Sequence, residues 1–309
     1  MTFTAKDVAD LRQATGAGMM ECKNALKEAN GNIEKAREIL RQKGIVAAAK
    51  KADKSALEGI VISKVTNDKK SGVIVEINTQ TDFVAKNDLF LDLAKKITDT
   101  ALSNKPKNTA QLLQIKVEGT SLSELIKSKI ATIGENIQVR RFELFELKTS
   151  GIIGAYIHPV GNKIGVMVKL TINSDNVTCA VELEQLAKDI SMHIAAAQPQ
   201  AEYIDKTKIP TEVIENEKRI EMGKEDLAQK PKEIAEKIVQ GRLDKLMSQR
   251  CLLHQPYIKD QNITVEKLIK DKSKQLNTDI KVEQFIRYNV GETVEKLSSA
   301  EQNTPISVL

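Results

Sequence analysis

Gly72-Val73-Ile74-Val75-Glu76-Ile77 is the stretch that decides the fold. It reads as a strand opened by a glycine, and it returns 93 residues later as Gly165-Val166-Met167-Val168-Lys169-Leu170. The correspondence extends outward from that pair. Upstream, Glu58-Gly59-Ile60-Val61-Ile62-Ser63-Lys64-Val65 matches Ser150-Gly151-Ile152-Ile153-Gly154-Ala155-Tyr156-Ile157, with Gly59 and Gly151 separated by 92 residues. Downstream, Leu93-Ala94-Lys95-Lys96-Ile97 matches Leu186-Ala187-Lys188-Asp189-Ile190, again offset by 93. A near-constant offset over three elements reads as two copies of a β-hairpin followed by a helix. Each copy gains a late strand, residues 137–144 and 285–290, preceded by helical stretches at 122–133 and 264–275. Three antiparallel strands with helices on one face make an α+β layer, and two such layers predict a pseudo-twofold core.

Ahead of the repeat, residues 1–45 read as three short helices. Thr4-Ala5-Lys6-Asp7 resembles a capping box, and Gly16 to Gly18 breaks the first helix. Met19, Cys22, Ala25, Leu26 and Ala29 recur at helical spacing, as do Ile33, Ala36, Ile39 and Leu40, the last stripe closing at Gly44. Adjacent helical positions lie about 100° apart, so Met19 and Met20 do not both face one small core. Gly16-Ala17-Gly18 is a poor dinucleotide loop. A helix precedes it, and Glu21 stands where the third glycine belongs. In the second copy, 211–228 and 232–247 read as helices joined by a turn with Pro231, implying an antiparallel hairpin. Val213, Ile214, Ile220 and Leu227 are expected to face Ile234, Ile238, Val239 and Leu246.

The corner Thr79-Gln80-Thr81-Asp82-Phe83-Val84-Ala85-Lys86-Asn87 joins a strand to a helix at 89–102. Asp82 or Asn87 can cap that helix. Phe83 has two readings here: a core residue at the bend, or a ring displayed as a wedge for another protein.

Composition narrows the function classes. Aromatic content of 3% leaves cores of aliphatic residues, and a net charge of +5 does not argue for nucleic acid. Residues 1–56 carry 11 Lys/Arg against 7 Asp/Glu, which suits an acidic partner surface or RNA. Three scattered cysteines and three scattered histidines offer neither a disulfide framework nor metal-ligand spacing. Without an apolar leader or a window approaching the roughly 18 to 20 apolar residues of a span, a reduced cytoplasmic protein is expected. No phosphate-loop, GxSxG, HExxH or kinase signature is present. His158, before Pro159, has no neighbouring nucleophile in the sequence. The chain therefore reads as a protein that acts on another protein, with an RNA- or ribosome-binding module as the alternative.

Several blocks together resemble the bacterial translation elongation factor Ts family. They are Thr15-Gly16-Ala17-Gly18-Met19-Met20-Glu21-Cys22-Lys23, the corner 79–87, Lys129 to Ile137, His193-Ile194-Ala195-Ala196-Ala197-Gln198-Pro199, and the run 230–242. The resemblance extends to about residue 292. It implies a guanine-nucleotide exchange factor for elongation factor Tu, acting without covalent chemistry, cofactor, metal or direct nucleotide binding of its own. The implied architecture is a ubiquitin-associated-like partner-binding module at 1–46 and a linker at 47–56. Core halves follow at 57–146 and at 147–208 with 250–292, then a hairpin insertion at 209–249 and a tail at 293–309. By the same resemblance, Thr81, Asp82, Phe83 and Val84 form the segment that displaces the partner's Mg²⁺. Met19, Met20 and Lys23 lie on the module's contact face, and Ile133, Gly134 and His158 on core contacts. Neither a membrane nor nucleic acid is an expected partner. The lysine-rich turn at 67–71 and the Pro159-Val160-Gly161 extension after His158 depart from the family pattern.

Overall fold

A computed structural model describes residues 3–52, 54–173, 180–227 and 230–292. The tail at 293–309 and Cys179 lie outside these described residues. The fold is α+β. Its first half contains α1 (Ala5–Thr15), α2 (Met19–Glu28), α3 (Ile33–Ala52), β1 (Glu58–Val65), β2 (Ser71–Thr79), α4 (Asp82–Ala85), α5 (Asp88–Asn104) and α6 (Thr109–Gln114). A small ribbon, β3 (Lys116–Val117) and β4 (Thr120–Ser121), leads to α7 (Leu122–Ile133) and β5 (Ile137–Glu146). The second half contains β6 (Gly151–Ile157), β7 (Ile164–Ile172), α8 (Ala180–Ala196), α9 (Thr211–Met222) and α10 (Lys232–Arg250). It closes with β8 (Pro256–Tyr257), β9 (Asp260–Thr264), α11 (Val265–Gln275) and β10 (Ile280–Asn289).

The helical caps follow the sequence. Thr4 Oγ1 accepts from Asp7 N at 3.2 Å while Thr4 N donates to the Asp7 carboxylate at 2.7 Å, which is the reciprocal capping box. Gly16, at φ 70°, ends α1 in the left-handed region. The third helix differs from expectation. It does not stop at Gly44 but continues to Ala52. Tertiary contact explains the extra turns: Arg41 pairs with Glu124 of α7, and Ala48 enters the core of the first sheet. A Cβ at Gly44 would stand 3.5 Å from that of Ala131, so glycine brings the two helices close. A mid-helix glycine costs about 1 kcal/mol, which this packing offsets.

Two three-stranded antiparallel sheets carry the repeat, in the orders β1-β2-β5 and β10-β7-β6. The copies agree at the backbone. Gly59 and Gly151 have φ 142° and 143°, and a Cβ on either would lie 2.1 Å from a carbonyl oxygen of the neighbouring strand. Only glycine fits there. Strand alternation then sorts the side chains. Val73, Val75 and Ile77 pack under Phe90, Leu93 and Ile97 of α5, with Ile126 and Ile130 of α7 in the same core. Val166, Val168 and Leu170 share a second core with Leu186 and Ile190 of α8 and Ile269 of α11.

The opposite faces of the sheets meet through Val61, Ile74, Phe145, Ile153, Met167 and Tyr288. At that interface the strand-opening glycines are reciprocal. A Cβ on Gly72 would come within 3.0 Å of Met167 and Ile153, and one on Gly165 within 2.4 Å of Val61. A buried ion pair lies nearby. Arg141 Nε donates to the fully buried Glu76 carboxylate at 2.6 Å, Gly291 N donates to its other oxygen at 3.0 Å, and the guanidinium sits 4.1 Å from the Tyr288 ring centroid.

The insertion is a helical hairpin, as expected, but its seam differs. Helix α9 ends at Met222 rather than at residue 228, and a short 3-10 turn at Glu225–Leu227 follows; residues 228 and 229 lie outside the described residues. Val213 and Ile214 pack with Val239, Leu243 and Met247, whereas Ile220 and Ile234 are 52% and 50% exposed. Instead Glu221 turns inward, bonded to Lys224 and Arg242, and Arg242 also pairs with Asp226. Leu227, Ile238, Val239 and Leu246 join that apolar cluster as expected, so the departure is confined to Ile220 and Ile234, and the ion pairs add to the seam.

His193 on α8 is buried beside the exit of this insertion. Its Nδ1 accepts from Ile258 N at 3.2 Å, so Nε2 carries the proton and donates to Gln255 Oε1 at 3.0 Å. The Gln255 amide group in turn donates to the carbonyls of Pro199 and Gln249. Burial lowers the His193 pKa, and the bond to Gln255 opposes this only in part.

Two stability outcomes follow. Gly165→Ala overfills the inter-sheet contact and should cost about 1–3 kcal/mol by urea denaturation. As pH falls below about 6.5, the unfolded chain takes up a proton at His193 that the fold resists, so stability should decline on acidification. Equilibrium unfolding at a series of pH values should lose that limb in His193→Gln.

Candidate functional site

The candidate site is built where β2 ends. Thr81 caps α4, its hydroxyl accepting from Val84 N at 3.4 Å, and Asn87 caps α5 by accepting from Leu89 N at 2.9 Å. Asn87 rather than Asp82 is therefore the cap of the long helix. A single helical turn fixed at both ends holds Phe83 between anchored neighbours: Ala85 is buried, and Val84 packs on the first core. Phe83 itself is 81% exposed. The ring is displayed, and the core reading does not hold. Burying a Phe side chain is worth roughly 1.5–3 kcal/mol, which this ring forgoes within its own chain. Asp82, beside it, accepts from Lys86 Nζ at 2.8 Å; that ammonium, with Lys163 adding at longer range, holds the carboxyl below its ordinary pKa.

The other residues expected as contacts lie on α2, at the end of α7 and just after β6. Ile133 closes α7 partly buried in the first core, and Gly134 caps that helix at φ 92° with its carbonyl accepting from Lys51 Nζ. The next residue, Glu135, joins this cap to the corner by accepting from Thr81 N at 3.0 Å and Thr81 Oγ1 at 2.7 Å. The turn between α1 and α2 adjoins α7, with Gly16 facing Thr132. Just beyond it, Met19 and Met20 are 46% and 63% exposed, and Lys23 is exposed one turn on. Both methionines thus leave the small core to Cys22, Ala25 and Leu26. Gly16 and Gly18 are helix boundaries, the cap of α1 and the residue before α2.

His158 follows β6, half-buried, with its Nδ1 3.0 Å from the Tyr156 hydroxyl. The turn that follows is fastened to β1: Asn162 O accepts from Val61 N at 2.7 Å, and Lys163 pairs with Glu58 at 2.8 Å. Glu58 pairs across the sheet with Thr79, so this turn lies at the edge of the Phe83 corner. Val160 projects from it, exposed. Sequence reasoning missed Glu135 and Val160. An apolar residue inside a Pro-Val-Gly turn is a local signal for the second; nothing local marks the first, whose partner is 54 residues away.

Among the described residues, no three His, Cys, Asp or Glu side chains cluster as metal ligands, and no helix is long and apolar enough to cross a membrane. A groove of about 840 Å³ between the N-terminal helices and α7 is lined by both charge signs, including Arg41 and Glu124, which pair with each other. The site is an exposed ring on a capped turn, with the turn after His158 fastened to the same strand edge and exposed methionines on α2.

Comparison with known proteins shows the family. Residues 80–292 match the family profile described as elongation factor TS. Elongation factor Ts of Nostoc sp. (strain PCC 7120) is 45% identical over 96% of this chain and 95% of its own length. Those of Nitratiruptor sp. and Clostridium perfringens (strain SM101) are each 42% identical over at least 95% of both chains. The chain belongs to the elongation factor Ts family, and it is thus a translation elongation factor.

Because Phe83 is held out from its own core, Phe83→Ala should change global stability by no more than about 0.5 kcal/mol. A core Phe→Ala would lose about 3–5 kcal/mol, so thermal unfolding of the variant separates the two readings.

Proposed function

We propose that this chain is the guanine-nucleotide exchange factor of the GTPase elongation factor Tu. It binds the GDP form and promotes GDP release by displacing Mg²⁺ from the partner, so that GTP can rebind during elongation. The observation that carries the proposal is the 81% exposed Phe83 on a corner capped at both ends. Family membership favours exchange over an RNA-binding role.

The physics needs no covalent step. Mg²⁺ demands near-ideal octahedral geometry at about 2.0–2.1 Å, so small displacements of its surroundings weaken it sharply. Loss of the ion removes the main counter-charge of the diphosphate, and GDP leaves faster. Phe83 need not touch nucleotide. Its ring has only to be better accommodated in the partner's open state than in its closed one. The coupling is reciprocal: GDP weakens this protein's binding by the factor by which this protein weakens GDP binding.

In this reading Thr81, Asp82, Phe83 and Val84 form the Mg²⁺-displacing segment, and Met19, Met20, Lys23, Ile133, Gly134 and His158 supply the remaining contacts. Residues 1–46 act as a ubiquitin-associated-like docking module. The repeated halves, 57–146 and 147–208 with 250–292, form a pseudo-twofold scaffold, and 209–249 forms an inserted arm. The protein works in the cytoplasm. The bonds of Glu135 to Thr81 and of Lys163 to Glu58 tie the α7 cap and the turn after His158 to the strand edge that carries Phe83, which supports a shared contact surface.

Phe83→Ala should lose about 2–4 kcal/mol of open-state binding, as a central aromatic anchor does. At 1.4 kcal/mol per tenfold this slows stimulated GDP release by at least an order of magnitude. Stopped-flow release of fluorescent GDP from elongation factor Tu measures it, and a parent-like rate would remove Phe83 from the mechanism.

A further inference from the structure

We propose that Glu135 is the positioning residue of the docking corner, setting the direction of Phe83 through Thr81. The inference rests on the exchange reading above and adds to it a residue that need not touch the partner.

The Glu135 carboxylate makes three bonds to two threonines. One oxygen accepts from Thr79 Oγ1 and from Thr81 N, each at 3.0 Å, and the other accepts from Thr81 Oγ1 at 2.7 Å. A hydroxyl has one proton and two lone pairs. With its proton committed to Glu135, the Thr81 hydroxyl must turn a lone pair to Val84 N, and that is the cap bond of α4. The carboxylate therefore orients the rotor that caps the turn carrying Phe83.

Helix α4 has only four residues. A single turn does not persist on its own, because nucleation fixes several dihedrals for one hydrogen bond. Its geometry comes from its ends and from the packing of Val84 and Ala85. Glu135 is itself held from behind. Gly134 ends α7 in the left-handed region, and the Asn136 amide donates to Lys54 O at 2.9 Å. Charge-assisted bonds to an ionised acceptor are about twice as strong as neutral ones. Loss of the carboxylate also leaves the buried Thr79 hydroxyl without this acceptor. The scaffold would persist, since neither sheet core includes Glu135. Phe83 would lose its fixed aim.

The test is a concentration series of the full-length chain against elongation factor Tu loaded with fluorescent GDP. Parent, Glu135→Ala, Glu135→Gln, Phe83→Ala and the Phe83→Ala/Glu135→Ala double variant are compared. A misaimed contact lowers the plateau release rate, and about 10- to 100-fold is expected for Glu135→Ala. The half-saturating concentration should move less than about threefold, because the remaining contacts are intact. Glu135→Gln should fall between, since its amide NH₂ cannot accept from Thr81 N while its oxygen can. In the Phe83→Ala background the Glu135 change should have no further effect, because the two act as one unit. A parent-like plateau for Glu135→Ala overturns the inference, as does an effect that adds in full to that of Phe83→Ala. If the alanine variant does not fold, the near-isosteric Glu135→Gln decides alone, and a parent-like rate for it is equally fatal. A fast Phe83→Ala protein would instead remove the exchange reading beneath, and this inference with it.

Discussion

Everything in this fold hangs on two sheets meeting across faces that carry no helices. That contact needs close approach, and the chain provides it with glycine at the same point of each copy, Gly72 and Gly165, each facing apolar side chains of the other sheet. Interiors are close-packed, so a contact that tight tolerates little added volume. Strand β2 is consequently buried on both sides, one under helices and one against the second sheet. Into this interface the chain places Glu76, fully buried and answered by Arg141 and by the backbone of Gly291. Glu76 and Arg141 are neighbours within the first sheet, and breaking such a pair costs about 3–5 kcal/mol because it leaves a buried charge without its partner.

From that rigid base the docking corner follows. β2 is anchored along its length and delivers Thr79 and Thr81 to a fixed point. Phe83 is presented from a turn that has no room to sway: Ala85 is buried behind it, Asn87 opens the next helix, and Glu135 grips Thr81 from the side. An exposed aromatic on a mobile loop would spend its binding energy on being ordered, whereas one on a braced turn keeps it for the partner. The scaffold forgoes the burial of one phenyl ring within its own chain.

The same logic separates the two helical appendages. The N-terminal helices bury a small core and send Met19 and Met20 outward, where flexible thioether side chains suit an adaptable contact. The long third helix fastens this unit to the scaffold by continuing onto α7. The hairpin of α9 and α10 is held by apolar packing that includes Leu227 and Ala235 near its tip, with Glu221, Arg242 and Asp226 paired beside it. Local sequence pattern foretold the pair of helices but not which side of them would be charged.

What the sequence determined by itself was whatever repeats or caps within a few residues. The strands showed through apolar runs opened by glycine, the copies through their offset, the first helix start through Thr4, and the corner through a Phe between Asp82 and Val84. Family blocks added the family to which the chain belongs. Only the tertiary structure decided that α3 runs on to Ala52, that Ile220 and Ile234 face outward, that Gly72 and Gly165 meet opposite sheets, and that Glu135 holds Thr81. The reason is range. Periodicity and capping are satisfied within about one helical turn, whereas Glu135 finds Thr81 across 54 residues and Glu76 finds Gly291 across 215. No local pattern encodes a partner that distant; burial and the requirement that buried polar groups be bonded select it once the sheets have closed.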